Sequence, residues 1–195
     1  MKEVYDKIIE SGNGYFTIDC AKKYGVSKED AFRMIHQHGL LKAAPGIYYS
    51  EETWPDPLFV LQYRNKKIIF SHETALYLHG FAEYEPSVPS VTVERGYNAS
   101  HLKKQNVQVH TSAEQLYDLG VIEKETASGN IVRVYDLDRT ICDILKYRKY
   151  METQLFTSAL KDYFRSPDKN LIRLMEYAKA LNLEEEVRRY AEVLL

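Results

Sequence analysis

One helical face of the segment GVSKEDAFRMIHQHG, residues 25–39, carries side chains that can contact nucleic acid: Lys28, Glu29, Phe32, Arg33, His36 and Gln37. Arginine can donate two hydrogen bonds to guanine, glutamine can bond adenine, and glutamate can accept a hydrogen bond from the amino group of cytosine. Ser27 and Lys28, at the start of the helix, suit phosphate oxygens. The spacing therefore predicts a helix that reads bases in the major groove of DNA.

Two acidic residues in the first turn of this helix have separate interpretations. Asp30 stands three residues after Ser27, so we predict that Ser27 caps the helix and that Asp30 completes a short-armed capping box. Glu29 is either solvated or a base-contacting acceptor, and both alternatives stay open. His36 and His38 are two residues apart and diverge on a helix, so we expect no shared metal ion there.

The elements around this helix predict a winged helix-turn-helix. Apolar residues near the N-terminus give a first helix, Thr17 caps a short second helix over residues 18–24, and Gly25 makes the sharp turn before the third. The core face of the third helix is predicted to carry Ala31, Met34, Ile35 and His38. After Gly39, the segment LLKAAPGIYYS predicts a hairpin, the wing, with Lys42 and Tyr48 as DNA contacts.

A second domain is predicted beyond the proline-containing segment EETWPDP. Its elements are a helix over SHETALYLHG with Ser71 as its cap, and strands at 90–94, 107–111, 120–123 and 131–135. A helix capped by Asp136 or Asp138 follows, and then three more helices, broken near residues 166–168 and 182. We therefore predict an α+β fold: a winged helix-turn-helix at 1–50, a linker at 51–57, and a mixed α/β domain with a helical C-terminal end at 58–195.

Two polar motifs in the second domain resemble sites only superficially. His72 and His79 are seven residues apart, so SHETALYLHG is not the zinc motif HExxH. Asp138 and Asp143 lie roughly 140° apart around a helix and diverge. We predict structural or partner-binding roles for Ser71, His72, Glu73, His79, Asp136, Asp138, Arg139 and Thr140, with Arg139 held by a nearby acid or by carbonyl groups. No metal, cofactor or enzymatic activity is predicted.

Composition limits how nucleic acid could be bound. The chain of 195 residues has a net charge of −2, whereas a protein that only coats phosphates would be basic. Residues 1–50 hold seven basic and six acidic groups, a net charge of +1, so DNA binding must come from a local patch. The two cysteines are interpreted as buried residues in a reducing cytoplasm, and no apolar run reaches the ~18 residues of a membrane span.

Three segments resemble the AbiE-type antitoxins, transcriptional regulators of bacterial abortive-infection systems. They are the N-terminal pattern that ends in GLLKAAPGIYY, the helix SHETALYLHGF, and the strand-to-helix segment VYDLDRTICDILKYR, which together cover nearly the whole chain. The resemblance implies a repressor that binds the double-stranded DNA of its own toxin–antitoxin operon. It also implies a nucleotidyltransferase toxin as functional partner in a type IV system, in which the two proteins need not form a stable complex.

The chain departs from the family pattern at the wing. Where the family often has an arginine before Gly-x-Tyr, Pro45 precedes Gly46 here, which leaves Lys42 as the only basic residue of the wing. Two other functions stay open: a protein-interaction module that neutralises a toxin without binding DNA, and an enzyme acting on nucleic acid, which would need converging carboxylates or histidines. The mixed-charge C-terminal helices are either solvated or touch nucleic acid, and the oligomeric state is left undetermined.

Overall fold

In the computed structural model, which describes residues 2–194, the chain folds into two compact units. The first comprises the N-terminal part of the chain as far as Lys66, together with Glu125–Ile131. The second comprises Lys67–Lys124 and the chain from Val132 onward. Both units contain helices and strands, so the predicted α+β class is confirmed. No helix within the described range is long and apolar enough to cross a membrane.

The first unit packs four helices with a small antiparallel sheet. The helices are α1 (Lys2–Ser11), α2 (Ile18–Lys23), α3 (Lys28–Gln37) and α4 (Pro57–Arg64). The strands are β1 (Tyr15–Thr17), β2 (Leu41–Ala44) and β3 (Ile47–Tyr49), in the order β1-β3-β2. The sequence does not predict β1, because three residues are too few to show an alternating pattern.

Local chemistry sets the ends of α2 and α3 as predicted. Thr17 Oγ1 accepts a hydrogen bond from the backbone N–H of Cys20 at 3.1 Å, and Ser27 Oγ accepts one from the backbone N–H of Asp30 at 3.1 Å. Gly25 has a φ of +75°, a conformation that favours glycine, and this allows the chain to turn between the two helices.

The buried face of α3 agrees with the prediction at three of four positions. Ala31, Met34 and Ile35 are buried, whereas His38 is exposed. The reason is that α3 ends at Gln37, so His38 no longer continues the helical stripe. Its ring instead stacks on Tyr5, with ring centroids 3.5 Å apart.

The segment predicted as a linker is part of the first unit. Asp56 is 4% exposed and caps α4, its Oδ1 accepting from the backbone N–H of Phe59 at 3.0 Å. Its Oδ2 accepts hydrogen bonds from Asn130 Nδ2 at 2.8 Å and from the hydroxyl of Thr126. The two units therefore separate after Lys66, beyond the predicted linker.

The larger sheet has five strands in the order β6-β5-β4-β8-β7. They are β4 (Ile69–Phe70), β5 (Ser90–Glu94), β6 (Gln108–Ser112), β7 (Val121–Glu125) and β8 (Ile131–Tyr135). β4 pairs antiparallel with β5 and parallel with β8, and β5 pairs parallel with β6. The four predicted strands are therefore present, with one or two residues of shift at some ends, while the two-residue β4 is not predicted.

The helices of the second unit are α5 (His72–Leu78), α6 (Ser100–Lys104), α7 (Glu114–Tyr117), α8 (Leu137–Tyr147), α9 (Thr153–Arg165), α10 (Leu171–Leu181) and α11 (Glu184–Leu194). A 3-10 turn, Arg148–Tyr150, follows α8. Helices α8 to α11 share an apolar core that includes Ile141, Ile144, Leu160, Leu174 and Val187. The predicted breaks near 166–168 and 182 separate α9, α10 and α11.

Candidate functional site

The outward face of α3 is accessible from one end of the helix to the other. Its exposed side chains are those of Lys28, Glu29, Phe32, Arg33, His36 and Gln37. On the opposite face, Ala31, Met34 and Ile35 are 1%, 2% and 5% exposed and pack into the core of the first unit. Because the buried face anchors the helix, the six predicted contact residues are presented together on one surface, which we call the α3 face.

A hydrogen-bonded chain of three side chains organises the start of the α3 face. Ser27 Oγ donates to Asp30 Oδ2 at 2.8 Å, and Arg33 Nη1 donates to Asp30 Oδ1 at 2.7 Å. Both members of the ion pair are exposed to solvent, so the pair stabilises the fold by only ~0–1 kcal/mol. Asp30 thus serves the helix cap and also holds Arg33, whose other N–H groups remain for further partners.

Two cationic side chains lie at the hairpin, one from the hairpin itself and one from α4. Lys42 is exposed on β2. Arg64, at the end of α4, reaches the hairpin turn, where its Nη1 donates to the carbonyl oxygen of Pro45 at 3.0 Å. Sequence reasoning missed Arg64 because it lies nineteen residues beyond Pro45 and outside the predicted hairpin.

Tyr48 takes a different position from the other predicted contacts. Its side chain is only 9% exposed, because it packs into the core of the first unit with Met34 and Ile35 of α3. The ring meets Phe32 edge to face, with centroids 6.4 Å apart. Tyr48 therefore supports α3 from beneath and offers little surface of its own.

The motif residues at the start of α8 bond to one another and to neighbouring elements. Asp136 is the cap, its Oδ1 accepting from the backbone N–H of Arg139 at 2.8 Å, and burial raises the pKa of its carboxyl group. Asp138, the other predicted cap, lies inside the helix, where it accepts from Tyr163 Oη and Arg173 Nε, both at 2.5 Å. The interpretation of Asp138 as a cap is wrong, because α8 begins one residue earlier, at Leu137.

Arg139 is 2% exposed, and its guanidinium group is held as the sequence predicts, by an acid and by carbonyl groups. Its Nε donates to Asp143 Oδ1 at 3.1 Å, and its Nη1 donates to the carbonyl oxygens of Leu116 and Leu119 at 2.8 and 3.0 Å. Thr140 Oγ1 donates to the carbonyl oxygen of Asp136 at 2.8 Å. These contacts are internal to the second unit and account for the motif by structure alone.

The polar residues of α5 also form internal bonds. Ser71 makes no side-chain cap bond, so that prediction is wrong; its hydroxyl group instead accepts from Thr92 Oγ1 at 2.9 Å. Glu73 Oε2 accepts from Ser90 Oγ at 2.9 Å. His79 Nε2 donates to the carbonyl oxygen of Tyr135 at 2.8 Å, and burial lowers the pKa of this histidine.

His72 differs from the other motif residues because it meets a second histidine. Its ring stacks on that of His110, with centroids 3.5 Å apart, and Tyr147 lies edge-on to both rings. Burial lowers the pKa of each histidine to about 3, so both rings are neutral at neutral pH. No local pattern predicts a role for His110, which is brought to His72 by the pairing of β4, β5 and β6. Among the residues from 2 to 194, no three metal-binding side chains form a cluster that could hold an ion.

Comparison with known proteins identifies a similar fold. No protein-family model and no curated protein matches the chain. The crystal structure of the Rv2827c protein from Mycobacterium tuberculosis is similar, with a TM-score of 0.54 and 12% sequence identity over 91% of this chain and 71% of that one. At this identity the similarity shows a shared fold alone.

Proposed function

We propose that this protein is a DNA-binding transcriptional repressor that acts in the cytoplasm and uses α3 as its recognition helix. The order of elements in the first unit supports a winged helix-turn-helix: two helices joined by a tight turn, followed by a hairpin in an antiparallel sheet. The observation that carries the proposal is the α3 face, because an exposed helix face with donors and acceptors of this kind fits the major groove of B-DNA.

The two ends of the proposed interface have different tasks. Arg33, His36 and Gln37 contact base edges, which gives sequence preference. Ser27 and Lys28 at the start of α3 bind phosphate groups and fix its position on the duplex. The hairpin adds Lys42, and Arg64 supplies a second cation at the turn where the wing itself has Pro45.

The resemblance of three segments to AbiE-type antitoxins supports a narrower proposal. The repressor controls its own toxin–antitoxin operon, and the second unit opposes a nucleotidyltransferase toxin. Within that unit, the segment VYDLDRTICDILKYR covers the end of β8 and the whole of α8, and its polar side chains make internal hydrogen bonds. This arrangement supports a role in shaping a partner surface rather than in catalysis.

A mobility-shift titration with the promoter of the operon tests the DNA-binding proposal. Arg33→Ala removes one base contact, so we expect binding to weaken by ~1–3 kcal/mol, together with a relaxed preference at one base position. Lys104→Ala, which removes an exposed cation from α6, is the matched control and should bind as the wild type does. Equal binding by all three proteins would exclude the α3 face from the interface. No binding by the wild type would favour the interaction-module alternative.

A further inference from the structure

The second unit contains a cavity of about 380 Å³ that the proposed repressor function does not use. Its walls come from the start of α5, from β5 and β6, and from α8, and they include His72, His110, Asp143 and Tyr147. Ligand pockets in proteins usually span ~300–1,000 Å³, so this cavity suits a small molecule.

Two buried polar atoms of the lining residues have no hydrogen-bond partner within the described part of the chain: Asp143 Oδ2 and His110 Nε2. Asp143 is 7% exposed, and only its other oxygen is engaged, by Arg139 Nε at 3.1 Å. Buried polar groups are nearly always satisfied, so two unsatisfied atoms in one lining indicate that something else binds there. The carboxylate oxygen accepts a hydrogen bond, and the imidazole nitrogen donates or accepts one according to its tautomer.

The shape of the backbone at His72 also points to this cavity. His72 is 6% exposed and has a φ of +50°, which is uncommon for a residue other than glycine. Such conformations persist only where the surroundings hold them, and they cluster at binding sites. Here the conformation accompanies the stack of His72 on His110, and the stack and Tyr147 give the cavity aromatic walls.

The charges around the cavity favour an anion at its mouth. Three cationic side chains, those of Arg95, Arg139 and Lys146, line it together with one carboxylate, that of Asp143. Arg139 is committed to Asp143 and to backbone carbonyls, whereas Arg95 and Lys146 are exposed and have no ion-pair partner among residues 2–194. Two solvent-facing cations therefore stand beside a buried acceptor and a neutral imidazole nitrogen.

We propose that the cavity binds a nucleoside monophosphate. The edge of a nucleobase carries both donors and acceptors, which are the groups that Asp143 Oδ2 and His110 Nε2 can bond, and the flat base suits the aromatic walls. The phosphate group of the ligand is bound by Arg95 and Lys146. The site is separate from the α3 face and does not depend on DNA binding.

Isothermal titration calorimetry on the full chain, with the four ribonucleoside 5′-monophosphates as probes, tests this proposal. We expect saturable one-site binding of at least one of them with a Kd below about 1 mM. The corresponding nucleoside and inorganic phosphate should each bind at least roughly tenfold more weakly, because the nucleoside lacks the contacts of the phosphate group and phosphate lacks those of the base. Lys146→Ala should weaken the nucleotide by roughly tenfold, and Lys161→Ala, an exposed lysine of α9, should leave it unchanged.

Asp143→Asn provides the second variant, since it removes the acceptor for the base but not the cations. We expect it to weaken nucleotide binding and to leave the weaker binding of inorganic phosphate unchanged. Three results would overturn the proposal: no binding of any monophosphate up to about 10 mM, inorganic phosphate binding as tightly as the nucleotide, or wild-type affinity in Lys146→Ala. In the first case, ordered water alone would satisfy the two buried atoms.

Discussion

Asp30 holds the guanidinium group of Arg33, the residue that we propose contacts a base. Its carboxylate holds the arginine at 2.7 Å and adds a negative charge to a surface that is proposed to face phosphates. We predict that Asp30→Asn tightens operator binding several-fold, because it frees the guanidinium and removes like-charge repulsion. The stability of the fold should change by only ~0–1 kcal/mol, since the pair is exposed.

Fluorescence anisotropy with labelled operator DNA measures the effect of Asp30→Asn. The same assay with Glu29→Gln distinguishes the two roles left open for Glu29, a solvated side chain or an acceptor that contacts a base. A solvated Glu29 repels phosphates, so its removal should also tighten binding. A Glu29 that accepts a hydrogen bond from cytosine should instead lose affinity at one base position. Weaker binding by Asp30→Asn would mean that Asp30 orients Arg33 for readout, contrary to our prediction.

The stacked pair of His72 and His110 makes the second unit sensitive to acid. Burial lowers the pKa of both rings to about 3 in the folded state, against about 6.5 in the unfolded chain. Below pH ~6.5 the unfolded chain takes up a proton on each of these histidines, whereas the folded protein does not until the pH approaches 3. The free energy of unfolding is therefore highest above pH ~6.5 and falls as the pH is lowered toward 3, by up to ~1.4 kcal/mol per pH unit for each histidine. Asp136 and Asp143, whose pKa is raised by burial, act in the opposite direction.

Urea unfolding at pH 7.5 and pH 5, followed by circular dichroism, measures this dependence. We predict a lower midpoint at pH 5 for the wild type and a flatter dependence for His110→Gln, in which one titrating ring is gone. His36→Gln removes an exposed histidine of the first unit and serves as the control. Parallel pH profiles for the wild type and His110→Gln would show that the buried pair does not control acid stability.

At the level of elements, one of the two cations at the hairpin, Lys42, lies on β2, and the other, Arg64, comes from α4. Each phosphate contact contributes about 0.9 to the slope of log K against log salt, so each lost contact lowers that slope by about one. We predict that Lys42→Ala and Arg64→Ala each lower this slope by about one. Each variant should also lose the same factor of affinity for every DNA sequence, because phosphate contacts do not depend on the bases. The slope is measured by anisotropy over a range of potassium chloride concentrations.

Lys104→Ala, on α6, is the control for charge alone and should leave the salt slope unchanged. If Arg64→Ala also leaves it unchanged, Arg64 only braces the turn through its bond to the carbonyl group of Pro45. In that case the wing would hold DNA with Lys42 alone, as its sequence predicts.

Elements with their own local signals could be predicted from the sequence, and elements that depend on distant partners could not. Ser27, Thr17 and the 3.6-residue spacing of Ala31, Met34 and Ile35 act within one or two turns, so α2 and α3 were predicted with their caps. β1 and β4 have two or three residues, and their strand geometry comes from pairing with β3 and with β5 and β8. The sequence predicts Asp136 or Asp138 as the cap of α8 and cannot choose between them, because two nearby aspartates suit the start of the same helix; the structure has Asp136.

At the scale of the whole molecule, the first unit is discontinuous along the chain. Residues 125–131, which connect β7 to β8, belong to the first unit. They supply Thr126 and Asn130 as hydrogen-bond partners of Asp56. The partners are 70 and 74 residues away from Asp56, so no local pattern could show that the segment 51–57 is packed rather than a free linker. The candidate sites follow the same rule, since the α3 face is local, whereas the cavity requires His72, His110 and Asp143 from separate elements.

We predict that Asp56→Ala selectively destabilises the first unit. The substitution removes the cap of α4, which costs ~0.5–2 kcal/mol. It also leaves the buried side chains of Thr126 and Asn130 without their acceptor, which costs a further ~1–3 kcal/mol. Hydrogen exchange of the backbone amides of α3 and α4, measured by mass spectrometry over a range of urea concentrations, reports the unfolding of the first unit.

The expected result is a transition of the α3 and α4 amides at lower urea, while circular dichroism retains a later transition from the second unit. Asp162→Ala, an exposed aspartate of α9, should leave both transitions in place. An unshifted transition of the α3 and α4 amides in Asp56→Ala would mean that residues 125–131 contribute little to the first unit. A common shift of both signals would mean that the two units unfold together, so that a change at Asp56 reaches the whole chain.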